Sequence, residues 1–283
     1  MRVAVTGASG GLGGALIAAC AIQHSAWECI GITRASADLT QPAAVEVALV
    51  SRRPDVIIHC ASMTAVDQCE TDPELAHAVN VGGTEAVARA AKKTGARLVF
   101  ISTDYVFDGK KSSPYTVDDR PNPQSVYGRM KLEGERITAE IRGSLIARTS
   151  WLYGRSGKSF PATILRLASS QKELRIVDDQ TGAPTYSHDM ADAVLKLVEK
   201  RADGIFHIAN SGSCTWFEFA KEILALRKVG GVEVIPITTA ELNRPAQRPA
   251  NSRLDCSRYE AVAGAPMRHW REALADALTG MAV

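Results

Sequence analysis

Short apolar runs alternate along the chain with longer stretches in which apolar residues recur at helical spacing. In the first half, the short runs predict strands at Arg2–Thr6, Cys29–Thr33, Asp55–Cys60, Arg97–Ser102 and Leu145–Arg148. The stretches between and after them predict helices at Gly11–Ile22, Pro42–Arg52, Pro73–Lys93 and Ser125–Glu140. Such alternation is typical of an α/β fold with a doubly wound parallel sheet and right-handed crossovers.

Beyond residue 150 the alternation is less regular. Helices are predicted at Phe160–Ser170, His188–Lys200, Thr215–Leu226 and Trp270–Leu278, and short strands at Arg175–Val177, Phe206–Ile208 and Val232–Ile235. We therefore predict a sheet domain over residues 1–150 and a smaller, mainly substrate-binding lobe over residues 151–283. Parts of residues 178–212 and 236–256 are expected to return to the sheet domain, so that the two units interleave.

Composition and charge exclude several classes of protein. The chain is 46% hydrophobic and 23% charged, which is the range of globular domains. A formal net charge of +2 without blocks of like charge argues against a nucleic-acid or membrane-surface partner. No segment approaches the roughly 18 consecutive apolar residues that a membrane span requires. We expect a cytoplasmic protein whose six cysteines are reduced.

A glycine-rich turn, TGASGGLG at Thr6–Gly13, joins the first strand to the first helix. Glycine lets the backbone approach a pyrophosphate, whose charge suits the amides at a helix N-terminus. This context predicts NAD(P) binding by a Rossmann-like domain over residues 1–150. The residues predicted to bind the cofactor here are Gly7, Gly10, Gly11, Leu12 and Gly13.

Arg34 follows the second strand, where an acidic residue would bind the ribose 2′-hydroxyl of NAD. An arginine at this position can instead pair with a 2′-phosphate, which favours NADPH over NADH. A solvated loop arginine, with NADH as the cofactor, is the alternative.

Candidate chemistry lies at Thr103 and at a Tyr–Lys pair. Thr103 directly follows the fourth predicted strand, at the carboxyl end where ligands of doubly wound sheets bind. Tyr127 and Lys131 stand four residues apart on a predicted helix and therefore share one face. A phenol with a pKa near 10 needs such a cation to work as an acid–base catalyst at neutral pH. Taken alone, this spacing is also found on solvated helix faces.

Eight motifs carry a resemblance to a known family. They are TGASGGLG at residues 6–13, TAVDQCE at 64–70, VNVGGTEAVARAA at 79–91, STDYVFDG at 102–109, VYGRMKLEGE at 126–135, RTSWLYG at 148–154, DDQTGAPT at 178–185 and RPANSRLD at 248–255. In this order and spacing the chain resembles the dTDP-4-dehydrorhamnose reductases of the extended short-chain dehydrogenase/reductase superfamily.

The resemblance implies a reaction and its residues. Tyr127 would be the proton donor, Lys131 its electrostatic partner and ribose ligand, and Thr103 the hydroxyl that orients the substrate carbonyl. Further cofactor contacts are implied at Asp38, Leu39, Ala61, Ser62 and Thr64. Sugar contacts are implied at Asp104 and Trp151. The implied reaction is NAD(P)H-dependent reduction of the C4 carbonyl of a nucleotide-linked 4-keto-6-deoxy sugar, the step that yields dTDP-L-rhamnose for cell-wall polysaccharide.

Alternatives remain at several of these positions. Trp151 is also explained as a core aromatic and Asp104 as a turn cap. Arg253 lies in a segment rich in groups suited to a diphosphate, but it can equally pair with Asp255.

Some family members hold Mg²⁺ at a dimer interface through a glutamate just after the glycine turn. This chain has Gly14 and Ala15 there, and its histidines share no ligand spacing, so we predict no metal and a homodimer, if one forms, that is not metal-linked. After the third predicted strand the chain has His59-Cys60-Ala61-Ser62-Met63, where family members more often have an Asn-Ala-Ala-type run. A methionine at position 63 would alter the pocket beside the nicotinamide, which leaves the identity of the sugar open. A related sugar-nucleotide reductase or epimerase, and a regulatory subunit like that of methionine adenosyltransferase, are the other interpretations.

Overall fold

The computed structural model describes residues 1–155 and 159–281. Its strands are β1 Arg2–Thr6, β2 Glu28–Ile32, β3 Val56–His59, β4 Arg97–Thr103, β5 Leu145–Thr149, β6 Leu152–Tyr153, β7 Glu173–Val177, β8 Thr181–Gly182, β9 Thr185–Tyr186, β10 Gly204–His207, β11 Cys214–Thr215 and β12 Glu233–Ile237. Its helices are α1 Gly11–Gln23, α2 Pro42–Val50, α3 Val66–Thr71, α4 Pro73–His77, α5 Gly83–Thr94, α6 Val126–Ala139, α7 Phe160–Ala168, α8 Ser187–Glu199, α9 Trp216–Leu226, α10 Thr239–Leu242, α11 Ser257–Ala263 and α12 Trp270–Thr279.

Six parallel strands form the central sheet, in the order β10-β5-β4-β3-β1-β2. The chain leaves β1 toward β2 and then returns to the other side of β1 for β3. The crevice beyond the carboxyl ends of β1 and β3 is therefore the switch point at which doubly wound sheets bind ligands. The predicted α/β fold with a doubly wound parallel sheet is confirmed.

Both faces of this sheet are apolar. Alternate residues of each strand point to opposite sides, and the residues on both sides are apolar. Val3, Val5 and Ile58 face a layer formed by α1 and α8. Ala4 and Ile57 face the opposite layer, formed by α2 and α5. This two-sided burial explains why the strand sequences are continuous apolar runs.

The prediction of one continuous helix over Pro73–Lys93 is wrong, because the middle of this range is not α-helical. The structure has α4, then a π-helical turn at Ala78–Gly82, then α5. Asn80 lies in that turn with its side chain buried. It accepts hydrogen bonds from Ser62 Oγ and the Met63 amide, each at 2.8 Å, and donates to the Met63 carbonyl oxygen. The hydrogen bonds of Asn80 thus hold the loop after β3 in place. Single π-helical turns of this kind are frequent at functional sites.

A second apolar core lies in the C-terminal part of the chain, around α7, α9 and α12. Residues 243–256, which we call the crossing segment, leave this part and return to the central sheet domain. There the Tyr115 amide donates to the Arg253 carbonyl oxygen at 2.8 Å, and Leu254 bridges to Tyr115. The same segment bridges to Thr181 through Asn251. The division at residue 150 remains a prediction.

The expectation of six reduced cysteines is wrong for one pair, since Cys20 and Cys29 form a disulfide. In a β-α-β unit the end of the helix lies above the start of the next strand. Cys20 near the end of α1 and Cys29 at the start of β2 are thereby brought to a Cα–Cα distance of 6.5 Å. No helix in the described ranges is long and apolar enough to cross a membrane.

Candidate functional site

A cavity of about 700 Å³ lies at the carboxyl ends of β1, β2 and β3. Every residue of the glycine turn, the Arg34–Leu39 segment and the loop after β3 that was predicted to bind the cofactor lies on its wall: Gly7, Gly10, Gly11, Leu12, Gly13, Arg34, Asp38, Leu39, Ala61, Ser62 and Thr64. These residues come from three separate segments of the chain, and the parallel order of the strands brings the segments together.

The glycine turn is close-packed and tolerates no side chain at two positions. Gly7 has φ +70°, and a Cβ there would stand 2.8 Å from the Ala61 amide nitrogen. A Cβ on Gly13 would stand 2.1 Å from the Gly7 carbonyl oxygen. The turn therefore lies flat against the loop after β3 and leads the first amides of α1 to the cavity. This arrangement is the usual cradle for a dinucleotide pyrophosphate.

Arg34 and Asp38 form an ion pair at the rim of the cavity, with Arg34 Nε 3.0 Å from Asp38 Oδ2. The Thr40 amide and the Arg34 guanidinium hold the pKa of Asp38 below its usual value. The Arg34 side chain remains 83% exposed, so its guanidinium is accessible to an anion from solvent. This position fits a group that meets a phosphate on the adenosine ribose.

Four wall residues that the sequence did not single out come from the C-terminal part of the chain. They are Leu152, Tyr153, Gly154 and Ser187. Ser187 Oγ is buried and has no hydrogen-bond partner within the described residues, whereas the Tyr153 ring packs into the C-terminal core on Tyr186 and Phe219. Buried polar atoms without partners are unusual in native structures, so the Ser187 hydroxyl is suited to a ligand in the cavity. The RTSWLYG motif, which contains Tyr153 and Gly154, was the available signal.

Thr103 and Tyr127 meet at the carboxyl end of β4, one strand beyond β3. Tyr127 is 8% exposed, and its phenol lies near the Thr103 hydroxyl. The Thr103 hydroxyl also accepts from the Tyr105 amide at 3.2 Å and donates to Asp104 Oδ1 at 2.9 Å. Burial raises the pKa of Tyr127, and the charge of Asp104 acts in the same direction. Tyr127 is therefore a neutral phenol, the form that can donate a proton.

Lys131 lies one helical turn beyond Tyr127 and is 4% exposed. Its Nζ stands 4.0 Å from the centre of the Phe100 ring, a favourable position for a cation. Burial lowers the pKa of Lys131 to about 8, against the opposing effect of Glu135. Burial raises the pKa of the Cys60 thiol on the cavity wall to about 12, and the nearby charge of Lys131 opposes this rise. Lys131 thus connects Tyr127 with the cofactor cavity.

A buried ion pair lies next along the same helix face. Arg148 binds Glu135 with two hydrogen bonds, Nε to Oε1 at 2.8 Å and Nη2 to Oε2 at 2.7 Å. The side chains are 2% and 4% exposed, and Ser102 Oγ donates to the same carboxylate. Both residues lie inside motifs, Glu135 in VYGRMKLEGE and Arg148 in RTSWLYG, but no role was predicted for either. Their bidentate geometry fixes α6 against β4 and β5.

Trp151 adopts the left-handed backbone conformation, with φ +47°, which is a genuine outlier for a bulky residue. Its indole stacks on Trp216 with ring centroids 3.6 Å apart and planes 9° apart. Behind it stands Gly182, where a Cβ would lie 2.4 Å from the indole. Trp151 is half-buried, so part of its surface remains accessible to a ligand.

Arg253, predicted as a substrate residue, is engaged elsewhere: it donates to Asn251 Oδ1 at 2.8 Å and to the Ser112 carbonyl oxygen, and not to Asp255. Two other arginines of the crossing segment, Arg244 and Arg248, converge on Asp67 at the start of α3. Arg248 binds that carboxylate through both terminal nitrogens, at 3.0 and 2.9 Å.

Six predicted residues lie off the cavity wall: Thr103, Asp104, Tyr127, Lys131, Trp151 and Arg253. Within residues 1–155 and 159–281, no group of three or more His, Cys, Asp or Glu side chains is arranged to hold a metal ion.

Comparison with known proteins extends over the whole chain. Residues 1–283 match the family model described as the RmlD substrate binding domain. A dTDP-4-dehydrorhamnose reductase from Streptomyces griseus is 40% identical over 287 residues, which cover 99% of this chain and 94% of that protein. The crystal structure of a dTDP-4-dehydrorhamnose reductase from Clostridium acetobutylicum superposes with a TM-score of 0.94 at 40% identity, with 99% of each chain covered.

A second solved structure, a dTDP-4-dehydrorhamnose reductase from Bacillus anthracis in complex with NADP, has a TM-score of 0.93 and 37% identity, with 98% of each chain covered. These matches agree with the motifs, the sheet topology and the cavity. The chain therefore belongs to the dTDP-4-dehydrorhamnose reductase family, whose members are NAD(P)H-dependent oxidoreductases of the extended short-chain dehydrogenase/reductase superfamily.

Proposed function

We propose that this protein reduces the C4 carbonyl of a nucleotide-linked 4-keto-6-deoxy sugar with NADPH, converting dTDP-4-dehydro-L-rhamnose to dTDP-L-rhamnose. The observation that carries the proposal is the placement of the Tyr127 phenol near the Thr103 hydroxyl at the carboxyl end of β4, with Lys131 one helical turn away. β4 pairs with β3, whose following loop lines the cavity, so a carbonyl at this place lies beside the cofactor site.

The residues present fit a dinucleotide. The glycine turn and the start of α1 line the cavity without side chains at Gly7 and Gly13, and Ser187 presents a buried hydroxyl that has no partner among the described residues. The glycine turn would hold the pyrophosphate, and Arg34 would meet a 2′-phosphate. Ala61, Ser62 and Thr64 would line the nicotinamide half, and Asp38 and Leu39 the adenine. Bound there, NADPH supplies the hydride.

The protein's own residues supply the proton and hold the carbonyl. Tyr127, kept neutral by burial, donates its proton to the substrate oxygen as the carbonyl is reduced. The ammonium of Lys131, one turn away, stabilises the phenolate that results and binds the ribose. Thr103 hydrogen-bonds the same substrate oxygen and orients it toward Tyr127. A general acid placed in this way contributes about 10²- to 10⁴-fold to the rate.

On the substrate side, we propose that Trp151 contacts the sugar through its accessible surface. The predicted diphosphate contact at Arg253 has less support, because its guanidinium is held by Asn251 and Ser112. Arg244 and Arg248 are better placed for that charge: two guanidinium groups share the single carboxylate of Asp67, which leaves one positive charge unmatched.

The test is stoichiometric oxidation of NADPH against a panel of nucleotide-linked 4-keto sugars, with the product identified for each. We expect one sugar product formed for each NADPH oxidised, with dTDP-4-dehydro-L-rhamnose as the preferred substrate. Tyr127→Phe should bind NADPH as the parent does and lose at least about a hundredfold in turnover. An epimerase would form product without net oxidation. No oxidation with any member of the panel would favour a regulatory subunit and reject the proposal.

Assembly and location remain predictions. Gly14 and Ala15 carry no ligating side chain, so we propose that any homodimer forms without a shared metal. Sedimentation that is unchanged by a chelator checks this. A cytoplasmic site of action is proposed because NADPH and nucleotide-linked sugars are the reactants.

A further inference from the structure

Asp104 carries a buried carboxyl immediately beside the proposed reaction site. Its side chain is 3% exposed, and Oδ1 accepts a hydrogen bond from Thr103 Oγ1 at 2.9 Å. Oδ2 is buried and has no hydrogen-bond partner within residues 1–155 and 159–281. Burying a carboxylate with incomplete hydrogen bonding is costly, so this site favours the protonated acid.

The single proton of the Thr103 hydroxyl decides what that residue can do. A hydroxyl donates once and accepts twice. Thr103 accepts from the Tyr105 amide, its own proton goes to Asp104 Oδ1, and the Tyr127 phenol lies near it. While Asp104 is ionised, Thr103 therefore has no proton to give to a substrate oxygen or to a phenolate. When Asp104 is protonated, its O–H can donate to Thr103, and the Thr103 proton becomes available to Tyr127.

The groups around Asp104 come from four elements. Tyr105 lies with Asp104 in the 3₁₀ turn Asp104–Val106 and Tyr127 lies on α6; burial raises the pKa of both phenols, and the charge of Asp104 raises it further. Ser252 of the crossing segment faces the carboxyl directly. Beyond Tyr105 lie Arg248 of the same segment and Asp67 of α3, which form an ion pair, and Arg244 also binds Asp67.

Burial raises the pKa of Asp104 to about 6, although the hydroxyls of Ser252 and Thr103 favour the ionised form. The carboxyl therefore exchanges its proton close to neutrality, in the range where a proton source for catalysis is effective.

We propose that protonated Asp104 is the proton source that restores Tyr127, acting through the hydroxyl of Thr103. The inference rests on the reductase function proposed above. After Tyr127 has protonated the substrate oxygen, the Thr103 proton moves to Tyr127 Oη, and the Asp104 carboxyl proton moves to Thr103 Oγ1. Only O–H bonds break and form. Tyr127 and Thr103 end as neutral hydroxyls, and Asp104 ends as a carboxylate that takes a proton from water when the product leaves.

This role differs from the sugar contact predicted for Asp104. A residue that only binds the sugar changes KM and leaves the pH profile in place. A proton source that acts through Thr103 gives the pH profile a descending limb above the pKa of Asp104. The rate falls there because the fraction of enzyme with protonated Asp104 falls. The deciding measurement is kcat/KM for sugar reduction from about pH 5 to pH 9.

The parent should lose about tenfold in kcat/KM for each pH unit above the pKa of Asp104 until a second residue titrates. Asp104→Asn should abolish this limb and lose at least about tenfold in kcat/KM at low pH, because an amide can hydrogen-bond Thr103 but has no proton to transfer to it. Asp104→Leu can neither donate nor accept and should lose at least about tenfold at every pH. Asp67→Asn removes a neighbouring carboxylate and should keep the limb, whatever its absolute rate.

A second pair of variants tests the connection without altering Asp104. Thr103→Ser keeps the hydroxyl and should keep the limb, whereas Thr103→Val should lose both the limb and most of the rate. An unchanged limb in Asp104→Asn, or in Thr103→Val, overturns the proposal while leaving the reductase function intact. Absence of NADPH oxidation by the parent is a different result, which rejects the proposed function and this inference together.

Discussion

Trp151 and Trp216 stack face to face across the boundary between β6 and α9, with their ring planes only 9° apart. The stack accompanies a left-handed backbone at Trp151, a conformation that costs on the order of 1–3 kcal/mol and persists only where surrounding contacts enforce it. Trp216 is itself held by a hydrogen bond from its Nε1 to Gln180 Oε1 at 3.1 Å. Trp216 therefore fixes the orientation of a residue that we place against the sugar.

Trp216→Ala should raise KM for the nucleotide sugar several-fold, because the Trp151 indole loses the ring that orients it. The aromatic pair itself contributes about 1 kcal/mol to stability. The affinity for NADPH should not change, since neither tryptophan lies on the cavity wall. Steady-state kinetics with the sugar varied, and a separate NADPH titration, measure the two effects. Trp216→Phe preserves a stacking surface and is the control; equal KM values in all three proteins would contradict a positioning role.

Gly13→Ala should lose NADPH affinity by at least about tenfold. The added Cβ would stand 2.1 Å from the Gly7 carbonyl oxygen, so the turn has to open and its amides lose their alignment. The adjacent Gly14→Ala is a matched control, since its Cβ would meet the Ala8 carbonyl oxygen at an ordinary 3.6 Å. Gly14→Ala should bind NADPH normally and gain about 0.5–1 kcal/mol of stability from the better helix former. Fluorescence titration with NADPH and thermal unfolding check both variants.

Arg34→Ala should weaken NADPH binding by about ten- to a hundredfold and leave NADH binding nearly unchanged. A charge-assisted hydrogen bond to a phosphate contributes about 1.5–3 kcal/mol, and NADH offers no 2′-phosphate to lose. Dissociation constants for both dinucleotides give the ratio directly. Arg34→Lys keeps the charge but not the planar guanidinium, so its affinity for NADPH should lie between those of the parent and Arg34→Ala. If Arg34→Ala lost the same factor in affinity for NADPH and for NADH, Arg34 would not bind the 2′-phosphate.

The parts of this molecule that could be predicted from sequence depend on neighbours in the chain. The strand ending at Thr6, the glycine turn after it and the Tyr127–Lys131 spacing are local patterns, so each was visible without a structure. Asn80 could not be interpreted in this way, because its partners Ser62 and Met63 become neighbours only after the loop folds back.

The same holds for side chains whose roles come from tertiary packing. Trp216 contacts Trp151 only when α9 packs beside β6, and nothing in the sequence indicates that these two residues form a pair. Arg253 and Arg248 look alike in the motif RPANSRLD, yet one binds a neighbouring loop and the other binds Asp67. The disulfide between Cys20 and Cys29 was missed because composition alone suggested free thiols.

Glu135→Gln should destabilise the protein by about 3–5 kcal/mol, because it leaves the guanidinium of Arg148 buried without its counter-charge. Denaturant unfolding with NADPH absent measures the loss. Glu133→Gln, on the exposed side of the same helix, is the matched control and should change stability by no more than about 0.5 kcal/mol. Comparable small effects in both variants would mean that water reaches the Arg148 side chain.

Lys131 should impose an upper limit on the pH range of the reaction. Burial lowers its pKa to about 8, so the ammonium that stabilises the Tyr127 phenolate is present below this pH and is lost as the pH rises through it. kcat/KM should accordingly fall above about pH 8, separately from the limb assigned to Asp104 near 6.

Lys131→Arg separates the charge of this residue from its titration. A guanidinium stays protonated throughout the accessible range, so the upper limb should disappear even where the rate is reduced. Lys131→Met should lose the cation at every pH, and with it most of the turnover. If Lys131→Arg keeps the fall above pH 8, another group sets that limb, and the proposed pairing of Lys131 with Tyr127 loses its electrostatic basis.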